Sequence, residues 1–550
     1  MVEGAHRSWF VMALVLLLVL VPATMLGAKA PKGTAKVPRY VDETASAGVD
    51  HSYTGSWQFY TGGGVAVLDC DADGRPDLYL AGGEGPAGLY RNGSEVGSQL
   101  TFEHRQSEVT DLTLVTGAYP LDVDSDDNVD LVVLRRGENV LLRGLGDCTF
   151  ERANEHFGFD GQDDWTTAFS AKWDQGAALP TLVLGDYLTI VEYPEQPACD
   201  ESAIYRPSAD GVSYGPPESL TAGFCTLSAL FSDWDRSGRR DLRLTNDRQY
   251  YIDGEDQLWR IEPGQEPSAW TREEGWPKLQ VWGMGLASDD LTGDGVPEVY
   301  VSSFADNKLQ SLPDGASGPV YENIARDLGV GVAQPAAGGE HLPSTSWHAE
   351  FDDVNNDGRL DLFVAKGNVE AMAENAMKDP SELLLAQRDG SFKRVAKAAG
   401  ILDFEPSRGA ALADLNLDGL LDIVEVKRAE PVRILRNVGA GSAARPKTMG
   451  HWLGIELAQP GPNVDAIGSW IEVDRGDGVA SREVTVGGGH AGGQLGPMHF
   501  GLGSAEQARV RVTWPDGEVG EWLDVDADAR VLIERGGKEP IDLSDPAPAR

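Results

Sequence analysis

The sequence predicts an all-β fold, a seven-bladed β-propeller followed by a small C-terminal β-domain. Three observations predict it. An acidic nonapeptide recurs six times, with a seventh, decayed copy in the one double-length gap. Two strand-like elements, one before and one after each nonapeptide, each count seven. The chain is also rich in turn formers, with 66 Gly and 31 Pro in 550 residues, as all-β chains are.

The nonapeptide is clearest at Asp69-Cys70-Asp71-Ala72-Asp73-Gly74-Arg75-Pro76-Asp77. It returns at Asp122–Asp130, Asp233–Asp241, Asp290–Glu298, Asp353–Asp361 and Asp414–Asp422, with starts 53, 111, 57, 63 and 61 residues apart. Midway through the 111-residue gap lie Trp173-Asp174-Gln175-Gly176 and the strand-like Leu182-Val183-Leu184, read as a copy that kept its strands and lost its loop. The preceding element is Tyr40-Val41, Phe102-Glu103, Phe150-Glu151, Val212-Ser213-Tyr214, Trp270-Thr271, Tyr321-Glu322 and Phe392-Lys393. The following one is Leu89-Tyr90-Arg91-Asn92, Leu141-Leu142-Arg143, Ile204-Tyr205-Arg206, Leu258-Trp259-Arg260, Leu309-Gln310, Leu384-Leu385-Ala386 and Ile434-Leu435-Arg436-Asn437.

Each repeat carries four short strand signals and no 3.6-period helix longer than two turns, the pattern of propeller blades. One four-stranded sheet cannot bury both faces, whereas seven packed in a ring can. Continuously apolar runs such as Val65-Ala66-Val67-Leu68 and Leu131-Val132-Val133-Leu134 fit sheets covered on both sides. Gly62-Gly63-Gly64, Gly283, Gly285 and Gly409 suit crowded strands near an axis. The phase of the repeat predicts that the N-terminal segment at Tyr40 completes the last blade.

Positions 1, 3, 5 and 9 of each nonapeptide carry side-chain oxygens, and position 7 can add a backbone carbonyl. The candidate ligands are Asp69, Asp71, Asp73, Arg75 and Asp77; Asp122, Asp124, Asp126, Asn128 and Asp130; Asp233, Asp235, Ser237, Arg239 and Asp241; Asp290, Thr292, Asp294, Val296 and Glu298; Asp353, Asn355, Asp357, Arg359 and Asp361; and Asp414, Asn416, Asp418, Leu420 and Asp422. All-oxygen donors on a flexible loop suit Ca²⁺, at about six sites, better than Mg²⁺. So many close carboxylates repel without a cation, so each loop is a folding element as well as a binding one. Ser237 and Thr292 lower the charge of their loops and predict weaker binding there. An EF-hand also begins D-x-D-x-D-G but needs Glu at position 12 and flanking helices. Position 12 here is Leu80, Val133, Leu244, Val301, Val364 and Glu425, and the flanks are strands.

Residues 1–30 read as a signal peptide: His6 and Arg7, an apolar run from Trp9 to Val21, and cleavage after Ala28-Lys29-Ala30, with an uncleaved anchor as the alternative. The expected location is secreted, periplasmic or cell-surface, with no membrane insertion of the mature chain. No Cys follows the apolar run to take a lipid. The four cysteines, Cys70, Cys148, Cys199 and Cys225, permit three disulfide pairings in an exported chain, with Cys199–Cys225 preferred. The expected plan is a propeller over 40–438, a Gly/Ala linker over 439–449, a β-domain over 450–537 and a disordered tail over 538–550.

The apolar lead-ins and acidic loops resemble FG-GAP/VCBS repeats. His451-Trp452-Leu453-Gly454, Asp465-Ala466-Ile467-Gly468-Ser469, His499-Phe500-Gly501-Leu502-Gly503 and Trp514-Pro515-Asp516-Gly517 resemble the ASPIC/UnbV domain. Together, in this order, they are similar to the cartilage acidic protein family and its bacterial relatives. The resemblance implies an exported, calcium-loaded propeller with a C-terminal β-domain and brings no established reaction. The missing third loop and the Ser and Thr ligands depart from it.

A net charge of -41 argues against nucleic acid as a partner. No H-E-x-x-H, G-x-S-x-G or P-loop is present. His348, near Glu350 and Asp352, is a candidate for the axis, with a packing role the blander reading. Gly487-Gly488-Gly489-His490 reads as a flexible turn, with an anion cradle as the alternative. Arg475-Gly476-Asp477 spells an adhesion tripeptide at an apparent hairpin tip. The reading is a monomeric extracellular or envelope binding and adhesion module for an unknown protein or glycan, with no catalytic residues. The alternative is an extracellular enzyme acting on a polysaccharide or similar substrate at the propeller axis. An exposed aromatic patch would favour the first, a central cluster of carboxylate, His and Arg the second.

Overall fold

The computed structural model describes residues 34–190, 197–247 and 254–543. The expected signal segment and the last seven residues of the tail lie outside them. Among the described residues the structure is almost wholly β, with three four-residue helices (Asn154–Phe157, Ala325–Leu328, Ala396–Ala399) and a single 3₁₀ turn, Trp57–Phe59.

The ring strands fall into seven four-stranded antiparallel units. Their first strands are Val65–Leu68, Val115–Leu121, Asp164–Lys172, Thr226–Ser232, Gly283–Asp289, Ser346–Asp352 and Ser407–Ala413. Each touches the first strand of the next unit, and the last touches the first, so the units close on themselves. Units two and three are also joined where Asp164 and Trp165 pair with Gly137 and Arg136. The apolar runs fill these inner strands, and Val115–Leu121 is buried along its whole length. Six of the seven inner strands carry one extra residue near their start, as between Val115 and Gly117 or Ser346 and Ala349. Such bulges re-aim side chains and bend the strand.

The last unit takes its outer strand from the N-terminal segment, Tyr40 pairing with Asn437 and Asp42 with Leu435. The elements placed before each loop are thus mostly the outermost strand of the preceding unit. In unit three that strand is Glu218–Leu220 rather than Val212–Tyr214, which lies in a turn where Asp210 gathers the amides of Val212 and Ser213. A buried ion pair locks the closure, with Arg436 Nε 2.9 Å from Glu43 Oε1. Glu43 Oε2 also accepts the Leu100 amide of unit one at 2.9 Å. Two disulfides are present, the expected Cys199–Cys225 and Cys70–Cys148, the second tying the first loop to unit two.

Beyond the ring stand two four-stranded sheets. One holds Met498–Gly503, His451–Ala458, Ala529–Glu534 and Ile541–Asp542; the other holds Val479–Glu483, Trp470–Asp474, Gln507–Thr513 and Leu523–Asp526. Leu453, Ile455, Val473, Phe500, Val510, Val512, Trp514 and Val531 form the apolar layer between them. The segment expected to be a free linker is folded on itself, with Gly439 bridging to Lys447 and Ser442 to Arg445. Part of the tail is ordered too: after a turn at Gly536 the chain comes back and pairs Ile541 with Leu532. The Trp514–Gly517 turn leads into Leu523–Asp526.

The connection from Val484 to Pro497 leaves this sandwich and enters the ring. Val486, Gly487, Gly489, Gly492 and Gln494 bridge to Ala171, Leu230, Leu286, Ala118 and Val67, all on inner strands. The glycine run expected to be a flexible turn is therefore a plug in the axis. It also explains two of the glycines at the axis: a Cβ on Gly64 would sit 1.7 Å from the Ala491 carbonyl oxygen, and one on Gly117 1.9 Å from it.

The closure makes a testable prediction. Arg436→Met strands the Glu43 carboxylate in the interior and lowers stability by about 3–5 kcal/mol. Glu43→Leu combined with Arg436→Met recovers most of that loss, as read by thermal unfolding.

Candidate metal loops and the axial plug

Each acidic loop joins the first strand of its unit to the second. Position 9 is the first residue of the second strand in all six: Asp77, Asp130, Asp241, Glu298, Asp361 and Asp422. The turn needs two left-handed residues. Position 6 was legible as glycine; it is Gly74, Gly238, Gly295, Gly358 and Gly419, with Asp127 in the second loop. Position 4 was not legible, because Ala72, Ser125, Arg236, Asn356 and Leu417 adopt φ of 55–59° there without a common residue type.

The side chains organise this turn. The position 1 carboxylate accepts the amides of positions 5 and 6, as Asp69 does from Asp73 at 3.2 Å and Gly74 at 2.7 Å, and Asp414 from Asp418 at 2.9 Å and Gly419 at 2.8 Å. Position 5 accepts the amide of position 7, as in Arg75 to Asp73 and Asn128 to Asp126. Position 9 takes two amides, Asp77 those of Cys70 and Asn92, Asp130 those of Val123 and Gly144, Asp422 those of Leu415 and Asn437.

The predicted ligands converge in the first two loops. One oxygen each from Asp69, Asp71 and Asp77 lie within 4.8 Å of one another, as do those of Asp122, Asp124 and Asp130. A triangle of that size has its centre about 2.8 Å or less from each corner, near the roughly 2.3–2.6 Å of calcium–oxygen bonds. Several loop oxygens are buried with no hydrogen-bond partner: Asp71 Oδ1, Asp124 Oδ1, Asp357 Oδ1, Asp361 Oδ2, Asn416 Oδ1 and Asp418 Oδ2. Burial pushes Asp69 and Asp418 up to about 6, Asp122, Asp353 and Asp414 to about 7, and Asp77 and Asp130 to about 8. It also raises Asp361 and Asp422 well above the usual carboxylate range.

The loops of units four and five are closed on their own groups. Asp241 accepts the indole N–H of Trp234 at 2.9 Å and of Trp270 at 2.8 Å, and Arg239 Nε at 3.0 Å. Glu298 accepts the amides of Leu291 and Thr292 and the Ser311 hydroxyl. The Thr292 hydroxyl, a predicted ligand, turns to Glu298 at 3.3 Å. In unit three, which lacks the loop, Lys172 Nζ lies 3.0 Å from Asp174 Oδ1, a built-in cation where the other units gather carboxylates.

Sequence reasoning missed the arginines. Arg91 bridges Asp71 and Asp73, and Arg143 bridges Asp124, at 2.7 Å, and Asp126. Both stand on third strands, in the Leu-x-Arg element used above only to count repeats. It also misread the axis. His348 faces it, but its Nδ1 accepts the His490 amide at 3.1 Å, so its Nε2–H points to Glu350 Oε2 at 3.2 Å. Glu350 also accepts the Leu412 amide and Gln494. His490 accepts the Gly62 amide on Nε2 and places Nδ1 3.0 Å from the Met284 carbonyl, and burial pushes it down to about 3. Both imidazoles hold the plug as neutral rings.

A cavity of about 300 Å³ remains between plug, ring and sandwich, with Asp289, Asp352, Glu350, Arg482 and Glu483 on its wall. Arg482 pairs with Asp289 at 2.8 Å and Asp352 at 3.2 Å; Glu483 pairs with Arg240 at 3.4 Å. Burial pushes Asp289 up to about 6 and Glu483 to about 8. Trp165 and Trp347, on inner strands, and Trp276 are core, while Trp57 is 50% exposed, its ring 5.7 Å from Trp165. Arg475 of the adhesion tripeptide bonds the Gly358 carbonyl inside the molecule.

The comparisons with known proteins follow this division. The FG-GAP-like repeat family matches residues 353–425, the last two acidic loops and their strands. The ASPIC and UnbV family matches residues 459–540, which contain the plug. No curated protein sequence matches the chain. Similar solved structures include BBS1N in complex with ARL6DN, at 12% identity and TM-score 0.40 over 73% of this chain and 97% of that one. An Agrocybe aegerita lectin, described as recognising non-reducing terminal N-acetylglucosamine, overlaps at 15% identity and TM-score 0.38 over 66% and 88%. A luciferin-regenerating enzyme overlaps at 12% identity and TM-score 0.32 over 65% and 94%. These overlaps are loose, and the architecture rests on the strand pairing. Among the described residues no helix is long and apolar enough to cross a membrane. The chain carries an FG-GAP-like repeat in a propeller-type β ring, followed by a C-terminal ASPIC and UnbV domain.

Proposed function

We propose that the acidic loops bind calcium and that the protein is an exported, calcium-stabilised module that presents its ring to an extracellular protein or glycan. One observation carries the calcium reading: carboxylate and amide oxygens in the loops of units one, two, six and seven are buried with no hydrogen-bond partner. An unpaired buried acceptor is destabilising by about 1–3 kcal/mol, more if charged, and a divalent ion satisfies several at once. The loops of units four and five leave no such oxygen among the described residues, so the tighter sites are the other four.

The reading as an enzyme at the axis has a cluster of the expected kind in Asp289, Asp352, Glu350, His348 and Arg482. Yet each of these groups is engaged in holding the plug or the sandwich, which accounts for their burial. The binding module is therefore the better supported reading.

Two measurements test it. Chelation lowers the melting temperature and Ca²⁺ restores it; Asp71→Ala lowers calcium uptake by one site per chain and leaves the other loops loaded. An unchanged melting curve in protein shown to be metal-free by elemental analysis contradicts the proposal. The second measurement is pH dependence in chelator. Asp69, Asp77, Asp130 and Asp414 sit at about 6 to 8 when folded, against about 4 unfolded. Folded values raised above unfolded ones give stability that is complete below about pH 4 and is lost as pH rises through about 6 to 8. Metal-free protein therefore melts lower at pH 8 than at pH 5.5. Saturating Ca²⁺ removes that slope, because it binds the ionised oxygens.

A further inference from the structure

The two left-handed positions of the acidic loops are also where the C-terminal sandwich touches the ring. At position 6, the Gly74 carbonyl accepts Arg530 Nη1 at 2.7 Å, and the Gly358 carbonyl accepts Arg475. The indole of Trp452 lies where a side chain on Gly419 would begin. At position 4, Ser125 Oγ accepts the Asn463 amide at 3.0 Å, and Arg236 stacks over Trp470 with its carbon 3.8 Å from the ring centre. Asn356 accepts the Gly503 amide at 2.9 Å on its carbonyl and faces His499 Nε2 at 2.7 Å with its side chain. Five of the six loops are gripped in this way. The fifth-unit loop is not: nothing lies within 4 Å of where side chains at Gly293 and Gly295 would begin.

These contacts fall on the two left-handed positions, on the carbonyls of Gly74, Gly358 and Asn356 and the side chains of Ser125, Arg236 and Asn356, and so depend on the shape of the loop. That shape places two residues per loop in a strained region for most side chains and gathers carboxylates that repel one another. A cation bound by positions 1, 3, 5 and 9 is what would hold it. The same sandwich carries the plug, which reports on docking through its own amides: Gly488 N to Ala229 O, Gly489 N to Leu286 O and Leu495 N to Val67 O at 2.6–3.0 Å.

We propose that the C-terminal domain is a cap that docks only on calcium-loaded loops, so that calcium controls whether the plug closes the axis. The proposal rests on the calcium reading above and adds a regulation to it. Docking and calcium binding are then linked, and each strengthens the other by the same factor.

Amide hydrogen exchange on the full chain, with and without chelator, tests this alongside a direct calcium titration of the same sample. The expected result is at least tenfold faster exchange of the Gly488, Gly489 and Leu495 amides after chelation, with the buried Val132 and Leu134 amides of unit two still protected. Arg475→Ala combined with Arg530→Ala, which touches no loop ligand, is expected to release the plug amides even in Ca²⁺ and to weaken calcium binding several-fold. Calcium binding with no change at the plug overturns the cap and leaves the calcium reading standing. No calcium binding sinks both. Loss of protection throughout the ring on chelation also overturns the cap, since the ion would then hold the ring itself. The same holds if the double variant keeps both plug protection and calcium affinity.

Discussion

The structure depends on how each unit neutralises carboxylates that its own turn forces together. The connection between the first and second strands is short and half-buried, and its geometry is made by side-chain carboxylates accepting backbone amides. Amides alone do not offset several negative charges in a poorly hydrated place, and burial raises the protonation range of these groups until some are neutral near pH 7. The seven units answer this in different ways. Unit three dispenses with the loop and uses Lys172. Unit four spends Asp241 on two indoles and Arg239. Units one and two bring in Arg91 and Arg143 from the neighbouring strand and still leave an oxygen of Asp71 and Asp124 unsatisfied. Units six and seven leave more. The graded deficit, not the acidic composition, is what separates loops suited to a divalent ion from loops that are complete without one.

The repeat was legible because turn chemistry is local. Aspartate at positions 1, 5 and 9 and glycine at position 6 act within nine residues, so their spacing survives in the sequence even where strand residues vary. Closure by Tyr40–Asp42 was legible from phase, since a repeat that begins on its last strand must end without it. The arginines of the third strands were visible only as a counting mark. Their role needs the strand pairing that sets Arg91 beside Asp71, and that pairing lies about twenty residues away in sequence.

The plug was illegible for a different reason. Gly487-Gly488-Gly489-His490 matches any flexible turn, and its partners lie between 140 and 430 residues upstream: Ala229 for Gly488, and Gly62, Met284 and His348 for His490. Glycine carries no side chain through which a partner might be guessed. The trace it leaves is on the other side of the contact, as small residues at Gly64 and Gly117 where an inner strand would otherwise hold a Val or Leu. Gly64, Gly283 and Gly409 were read correctly as crowded near an axis; at Gly64 the crowding comes from the second segment, at Gly283 and Gly409 from the Thr245 side chain and the Gly63 carbonyl of the ring.

That second segment changes what the axis can do. An open propeller offers a channel whose wall groups are free to meet a ligand. Here the wall's histidines and Glu350 are drawn into a chain running from His490 through His348 to Glu350 and Gln494, each donor matched to one acceptor. A neutral His348 whose tautomer is fixed by the plug amide is poorly placed to take a proton from a substrate. The same network gives the sandwich a specific seat, because a plug displaced by one residue would leave the His348 nitrogen, the Met284 carbonyl and the Gly62 amide unpaired in the interior. Ring and sandwich are thus one polar fit at the axis and one backbone fit at the loops, and neither half completes its hydrogen bonding without the other.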